Sequence, residues 1–327
     1  MGVFGYECFA NQRRNRYYRP QKLLLGRREM AFKKIGFVGM GIMGAPMAKN
    51  LLKAGYHVKV HSRTKSKAEP VIDAGALWTQ NCAELAGASE VVISCVPDTQ
   101  DVENVLLGKG GVLEGAEQGL ICVDMSTISP VATERMGKIL NEKKVHLLDA
   151  PVSGGQIGAI EAKLSIMVGG DREDFDAVLP VLRAMGRTVI HCGPLGSGQR
   201  TKLVNQVMVI HTIMSIAEGF AFAEKAGLDL QKTWEVTSAG AAGSHSLNVL
   251  GKKIIAGDLK PAFMVDLQLK DLRLVIEYAE QIKQPLPGVA LARQLMTLLQ
   301  AQGRGRDGTQ AIVDVIRQMR QNCPGGL

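Results

Sequence analysis

No stretch of this chain offers eighteen consecutive apolar residues free of charge, so a membrane-spanning helix is not expected. No C-x-x-C pair occurs either. Cys8, Cys82, Cys95, Cys122, Cys192 and Cys323 are scattered, and Cys95 in "VVISCV" and Cys122 in "LICVD" sit inside apolar runs. That usage fits reduced thiols serving as small core residues in a cytosol-like compartment, and a cytoplasmic location is expected. The six histidines show no ligand spacing, so no metal is expected. Internal repeats and low-complexity tracts are missing as well. What is present is 327 residues at 46% apolar content, enough for a substantial core arranged as two domains.

The formal charge of +8 raises nucleic acid as a partner, but its placement argues against that. Residues 1–31 hold Arg13, Arg14, Arg16, Arg19, Lys22, Arg27 and Arg28 against Glu7 and Glu29, which is +5 of the total. The basicity belongs to an extension and not to a face of the folded body. Three readings of that extension stand. The favoured one is an artefact of start-codon choice, because Met30 directly precedes "AFKKIGFVGMG". An arginine-rich, acid-poor organelle-targeting segment short of serines is the second, and an arm for an anionic surface is the third. Neither nucleic acid nor membrane is expected as a partner of the body.

Strand-like runs alternate with helical patterns from Lys33 to about Cys192: "KIGFVG", "HVKVHS", "EVVISCV", "LICVDM", "VHLLDAP", "LSIMVGG" and "TVIHCG". Such alternation predicts an α/β fold with a doubly wound, mostly parallel sheet of Rossmann type. After "HCGPLGSG" the β pattern stops. Apolar residues dominate from Gln199 to Gly227 without proline, which predicts one long buried helix. "SLNVLGKKIIAG", "DLQLKDLRLVIEYAEQI", "GVALARQLMTLLQAQ" and "TQAIVDVIRQMRQ" follow as helical segments. The expected division is a basic extension over 1–31, a dinucleotide-binding domain over 32–194, an all-helical substrate and dimerisation domain over 195–321, and a tail over 322–327.

Gly39, Gly41 and Gly44 form G-x-G-x-x-G, with Met40, Ile42 and Met43 between them, directly after the first strand and at the start of a helix. The first glycine permits the tight turn, the second lets backbone approach a pyrophosphate, and the third allows close helix–strand packing. Glycine is common in this chain, so the motif gains its force from the strand before it and the helix after it. NAD-binding versions place an acid at the end of the second strand. Here the residues are His61, Ser62, Arg63, Thr64 and Lys65, so two cations and two hydroxyls stand where a 2′-phosphate would lie, and NADP is expected over NAD. The plainer alternative is that Arg63 stacks on adenine while Lys65 is solvated.

Two further stretches carry chemistry. "DAPVSGG" (149–155) ends a strand where open α/β sheets bind ligands, and Ser153 with the N–H groups of Gly154 and Gly155 would cradle a carboxylate. An ordinary Ser-Gly-Gly loop is the competing explanation. "GSGQRTKLVNQ" (196–206) puts Lys202 on one helix face with Asn205 or Gln206, in a helix that is otherwise mostly apolar. A lysine there points towards the cleft between domains.

Taken together, "GFVGMGIMGAPMAKNL", "DAPVSGG", "GSGQRTKLVNQ" and "FMVDLQLKDL", in that order, resemble the β-hydroxyacid dehydrogenase family over about residues 33–320. The resemblance implies that Lys202 is the catalytic lysine, protonating the carbonyl oxygen in reduction and taking the alcohol proton in oxidation. It implies that Ser153, Gly154 and Gly155 hold the substrate carboxylate and that Lys270 and Asp271 close over the cofactor. Val96, Pro97 and Thr127 match the points where the fourth and fifth strands touch it. Several relatives carry asparagine four residues after the lysine, where this chain has Gln206; Asn205 lies one place earlier and is the first choice of amide partner. Within the family, "AGAAGSHSL", "KLVNQV" and "DLQLKDL" look most like the tartronate semialdehyde reductase branch, which implies reduction of 2-hydroxy-3-oxopropanoate to glycerate. Hydroxyisobutyrate enzymes usually carry the acid this chain lacks at the second strand. Their substrate and the succinic semialdehyde/4-hydroxybutyrate pair remain alternatives, as does a non-catalytic scaffold, against which the retained Lys202 argues. Imine-reducing relatives replace that lysine and fit poorly. The resemblance also implies a homodimer or homotetramer.

Overall fold

The computed structural model describes residues 32–321, so the expectations placed on 1–31 and 322–327 lie outside the described residues. The sheet has nine strands: β1 Lys34–Val38, β2 His57–His61, β3 Leu77–Trp78, β4 Val91–Ser94, β5 Ile121–Asp124, β6 His146–Asp149, β7 Val152–Ser153, β8 Leu164–Gly169 and β9 Gly186–Gly193. The first six lie in the order β3-β2-β1-β4-β5-β6, all parallel, which is the doubly wound arrangement expected. β8 then runs antiparallel to β6 and β7, and β9 pairs parallel to β8.

β4 and β5 are buried at every residue and β1 at all but its first, because helices cover both faces of the sheet. Strands in that setting read as continuous apolar runs, as "VVIS" and "ICVD" do. β2 alternates instead, since only a two-residue strand lies beyond it. Several crossover helices begin with side-chain caps that satisfy free N–H groups. Ser129 accepts from Ala132 N ahead of the helix Pro130–Asn141, and Asp171 accepts from Glu173 N ahead of Arg172–Arg183.

From residue 197 onward the described chain consists of helices joined by loops, with one isolated bridge between Met264 and Gly308. The helix Ser197–Lys225 is the pillar of this half. Ile210, Ile213, Ala217 and Phe220 on it belong to one core with Leu272, Val275, Val289, Met296 and Ile312 from the helices Val265–Gln281, Pro287–Ala301 and Ile312–Gln321. Each fully buried aliphatic or aromatic side chain there contributes about 1.5–3 kcal/mol. By length and a mean hydropathy of 1.4 the long helix is apolar enough to cross a bilayer, yet half of that stretch is buried inside the fold, as suits a core helix.

The structure adds elements that the sequence pattern hid. β3 and β7 have two residues each, too short to show an alternating period. The helix Leu230–Ala239 was not expected because none of its residues is buried and so no apolar stripe marks it. "SLNVLGKKIIAG" is not one regular helix: Leu247–Gly251 is π-helical and Lys252–Ile255 α-helical. The Trp234 indole N–H donates to the Leu247 carbonyl at 3.2 Å, and a Cβ on Gly251 would come within 2.7 Å of that ring. Trp234 thus fills the space beside Gly251 and takes the carbonyl of the first π-helical residue as its acceptor.

Candidate active site

β1 ends in the glycine turn, and the three glycines are needed for different reasons. Gly39 has φ +99°, a left-handed conformation, and a Cβ on it would meet the Cys95 carbonyl oxygen at 2.3 Å. At Gly44 a Cβ would meet the Gly39 carbonyl oxygen at 1.8 Å, so this residue brings helix Gly44–Lys53 against the turn. Gly41 has neither constraint: no protein atom lies within 4 Å of its Cβ position. Protein packing therefore does not call for glycine there, whereas a ligand lying against the backbone does. The helix N-terminus has no side-chain cap; Ala45 N and Met47 N donate to the Gly41 and Met43 carbonyls and Pro46 has no N–H, so the Ile42, Met43 and Gly44 N–H groups are the ones open to a pyrophosphate. Met40 is buried, Met43 half-buried and Ile42 exposed beside them. These residues fit a dinucleotide.

At the end of β2, Arg63, Thr64 and Lys65 are exposed and Ser62 is half-buried. Two partners were not legible in the sequence. Arg63 Nη1 donates to Asp101 Oδ1 at 2.9 Å, so a carboxylate does stand at this site, supplied by the helix Thr99–Leu107 after β4. Lys65 Nζ lies 5.8 Å from the centre of the Trp78 ring, which also packs against His61.

The second cluster joins the two halves of the protein. Lys202 is buried in the first turns of the long helix, and its Nζ makes no hydrogen bond or ion pair among the described residues. Burial pushes its pKa below the ordinary 10.5, with nearby Lys270 acting in the same sense and Asp271 opposing. Asn205 Nδ2 donates to Gln206 Oε1 at 2.8 Å, and Gln206 Nε2 donates to Asp271 Oδ2 at 2.5 Å. Lys270 Nζ lies 2.8 Å from Asp271 Oδ1 and donates to the Thr127 carbonyl at 2.6 Å. Asn205, Gln206, Asp271, Lys270 and Thr127 are therefore one chain of contacts. Gln206 is the buried amide and Asn205 the half-buried one, and neither bonds Lys202 directly.

Beyond β6 the backbone turns through Gly154 at φ +132° and Gly155 at φ +61°, two successive conformations that favour glycine. The N–H groups of Gly154 and Gly155 donate to no carbonyl among the described residues, and Ser153 is half-buried before them. The Gly155 Cβ position lies 4.0 Å from the Ala262 carbonyl, so the cradle borders the loop that leads into helix Val265–Gln281.

Three positioning residues escaped the sequence reading although two lie within quoted motifs. Asp149, fully buried, accepts from Gly196 N at 2.7 Å and Gln199 N at 2.6 Å and so caps the long helix. Burial raises its carboxyl pKa to about 6. Gln199 bridges to the loop after β5, donating to the Ser126 carbonyl and accepting from Ile128 N. Its spacing from Lys202 and Gln206, three and seven residues, places it on the same face and was the available signal. Ser126 Oγ accepts from Val96 N at 2.9 Å and donates to the buried Asp124 carboxyl, which holds the loops carrying Val96, Pro97 and Thr127 together. Arg273 adds a tie from the helical half to Asp98 at 2.7 Å. A cavity of about 590 Å³ lined by Lys138, His146, Asp174 and Leu195 contains none of the expected site residues. Among the described residues no cluster of histidine, cysteine and carboxylate side chains forms a metal site.

Both halves of the chain are similar to known proteins. Residues 34–193 match the family model for the NAD binding domain of 6-phosphogluconate dehydrogenase. Residues 196–316 match that for the NAD-binding domain of NADP-dependent 3-hydroxyisobutyrate dehydrogenase. The chain is 37% identical to 2-hydroxy-3-oxopropionate reductase of Escherichia coli K12, over 88% of this chain and 98% of that one. It is 42% identical to the probable 3-hydroxyisobutyrate dehydrogenase-like 1, mitochondrial, of Arabidopsis thaliana, over 88% and 86%. The solved structure of Psf3 in complex with NADP+ and 2-OPP superposes with a TM-score of 0.81 at 26% identity, covering 86% of this chain and 99% of that one.

Proposed function

The chain belongs to the β-hydroxyacid dehydrogenase family of NAD(P)-dependent oxidoreductases, and we propose that within it this protein reduces a short carboxylate-bearing semialdehyde with NADPH. The first-choice substrate is 2-hydroxy-3-oxopropanoate, giving glycerate. The observation that carries this reading is the Lys202 amine: buried, without a protein partner, and beside Asp271 and Lys270 in the cluster that joins the two halves.

When bound, reduced nicotinamide supplies the hydride to the carbonyl carbon. Lys202 then gives a proton to the carbonyl oxygen from Nζ, and its lowered pKa makes the amine a better acid than a solvated lysine. Asn205 and Gln206 lie beside it on the helix, and Gln206 tethers Asp271, which pairs with Lys270. Ser153, Gly154 and Gly155 take the substrate carboxylate on free N–H groups and a hydroxyl. Gly39 to Gly44 would hold the pyrophosphate, Val96, Pro97 and Thr127 would border the cofactor, and Lys270 with Asp271 would close over it from the helical domain. Ser62, Arg63, Thr64 and Lys65 are the residues that would hold a 2′-phosphate; the NADP+ held by Psf3 supports that preference.

Residues 32–194 are then the cofactor domain and 195–321 the substrate and dimerisation domain. Val204, Met208 and Phe222, exposed along the long helix, support a homodimer or homotetramer. The free thiols Cys82, Cys95, Cys122 and Cys192 support a reducing, cytoplasmic setting. Initial rates with NADPH on 2-hydroxy-3-oxopropanoate, the semialdehyde of 3-hydroxyisobutyrate and succinic semialdehyde test the substrate. The highest kcat/KM is expected for the first, and a clear preference for either of the others overturns that choice.

A further inference from the structure

One ion pair spans the end of the sheet that the dinucleotide would approach. β2 and β4 flank β1, all three parallel, so the segments leaving β2 and β4 emerge on either side of the glycine turn. Arg63 lies two residues beyond β2, and Asp101 stands in the first turn of the helix after β4. Their contact at 2.9 Å therefore crosses the carboxyl end of β1. The guanidinium uses only Nη1 in it, and the Arg63 side chain is 78% exposed. Lys65, the other cation, is placed over Trp78 and has no carboxylate partner among the described residues.

We propose that Asp101 is a specificity-determining residue: its carboxylate competes with the ribose 2′-phosphate for Arg63 and so sets how strongly the protein prefers NADPH to NADH. This rests on the reading of Arg63 as a phosphate ligand. A phosphate dianion presents several oxygens to the guanidinium fork and displaces one exposed carboxylate, whereas the neutral hydroxyls of an unphosphorylated ribose do not. The Asp101 charge also repels the nearby phosphate while leaving NADH almost untouched. Both effects act in one direction. An exposed pair of this kind is worth no more than about fivefold in an equilibrium, and the repulsion adds a similar factor at low salt.

The test uses the full chain, wild type and Asp101→Asn, with NADPH and NADH titrated separately at low and high salt. Asparagine keeps the shape, and the helix retains its Asp98 cap on Thr99 N. A melting temperature close to wild type confirms folding. The expected result is NADPH binding tightened about three- to tenfold with NADH changed less than about twofold, and the gap narrowing in high salt. Arg63→Ala separates the two possible failures. If the wild type prefers NADPH and Arg63→Ala abolishes that preference, but Asp101→Asn leaves NADPH affinity unchanged or weakens it, Asp101 is not a competitor and the inference is overturned alone. If the wild type binds NADH as tightly as NADPH and Arg63→Ala alters neither, the cofactor reading falls and takes the inference with it.

Discussion

Replacing Lys202 by methionine should separate activity from stability. Methionine keeps an unbranched chain of similar length and removes only the amine. The wild-type amine makes no hydrogen bond, while Asp271 already has Lys270 at 2.8 Å and Gln206 at 2.5 Å, so removing Lys202 strands no partner. A lysine whose folded pKa is depressed contributes stability only above its ordinary 10.5 and loses it as pH falls through the folded value, so at neutral pH its burial is a cost. Lys202→Met should therefore melt at the same temperature as wild type or up to a few degrees higher, at about 2–4 °C per kcal/mol. Turnover should fall about 10²–10⁴-fold, the worth of a positioned general acid, with NADPH affinity kept within a few-fold. Melting curves, cofactor titration and initial rates on one preparation decide it. A variant that keeps about half of wild-type turnover refutes the proton-donor role, and one that melts many degrees lower shows that Lys202 is held for packing.

Two glycines of the turn should respond oppositely. Gly41→Ala should leave the melting temperature unchanged and weaken cofactor binding at least about tenfold, whereas Gly44→Ala should lower the melting temperature by several degrees, because its Cβ would meet the Gly39 carbonyl oxygen. For Asp149 the folded pKa of about 6 lies above the ordinary 3.8, so its contribution to stability is complete below about pH 4 and is lost as pH rises through about 6. Denaturation midpoints should show this decline, at most about 3 kcal/mol, in wild type and not in Asp149→Asn. The pH profile of Lys202 should run in opposite senses for the two directions. Reduction needs the ammonium and falls as pH rises through its pKa, oxidation needs the amine and rises there, and that pKa should be well below 10.5.

The sequence made the central strands legible because burial on both faces turns them into continuous apolar runs. The long helix stood out as an uninterrupted apolar stretch, and Ser197–Lys225 lies within two residues of that stretch at both ends. Local motifs carried the glycine turn for the same reason: strand, turn and helix are contiguous. What stayed hidden depends on contacts distant in sequence. Asp101 is 38 residues from Arg63, and Asp271 is 65 from Gln206, so neither pairing leaves a local pattern. The reversal of β8 was also hidden, since strand direction depends on tertiary packing and not on composition. Asp149 read as the last residue of a strand, and only its two backbone partners at the start of the long helix reveal it as a cap.

The central claim is that Lys202 serves hydride transfer to a short carboxylate-bearing aldehyde, and the most direct measurement is single-turnover oxidation of bound NADPH on mixing with 2-hydroxy-3-oxopropanoate. Wild type should consume one equivalent of the reduced nicotinamide per site and release glycerate, with Lys202→Met binding NADPH equally well and consuming almost none. A wild type that binds NADPH but oxidises it with no member of the semialdehyde panel, or a Lys202→Met variant that consumes it at the wild-type rate, would contradict the account.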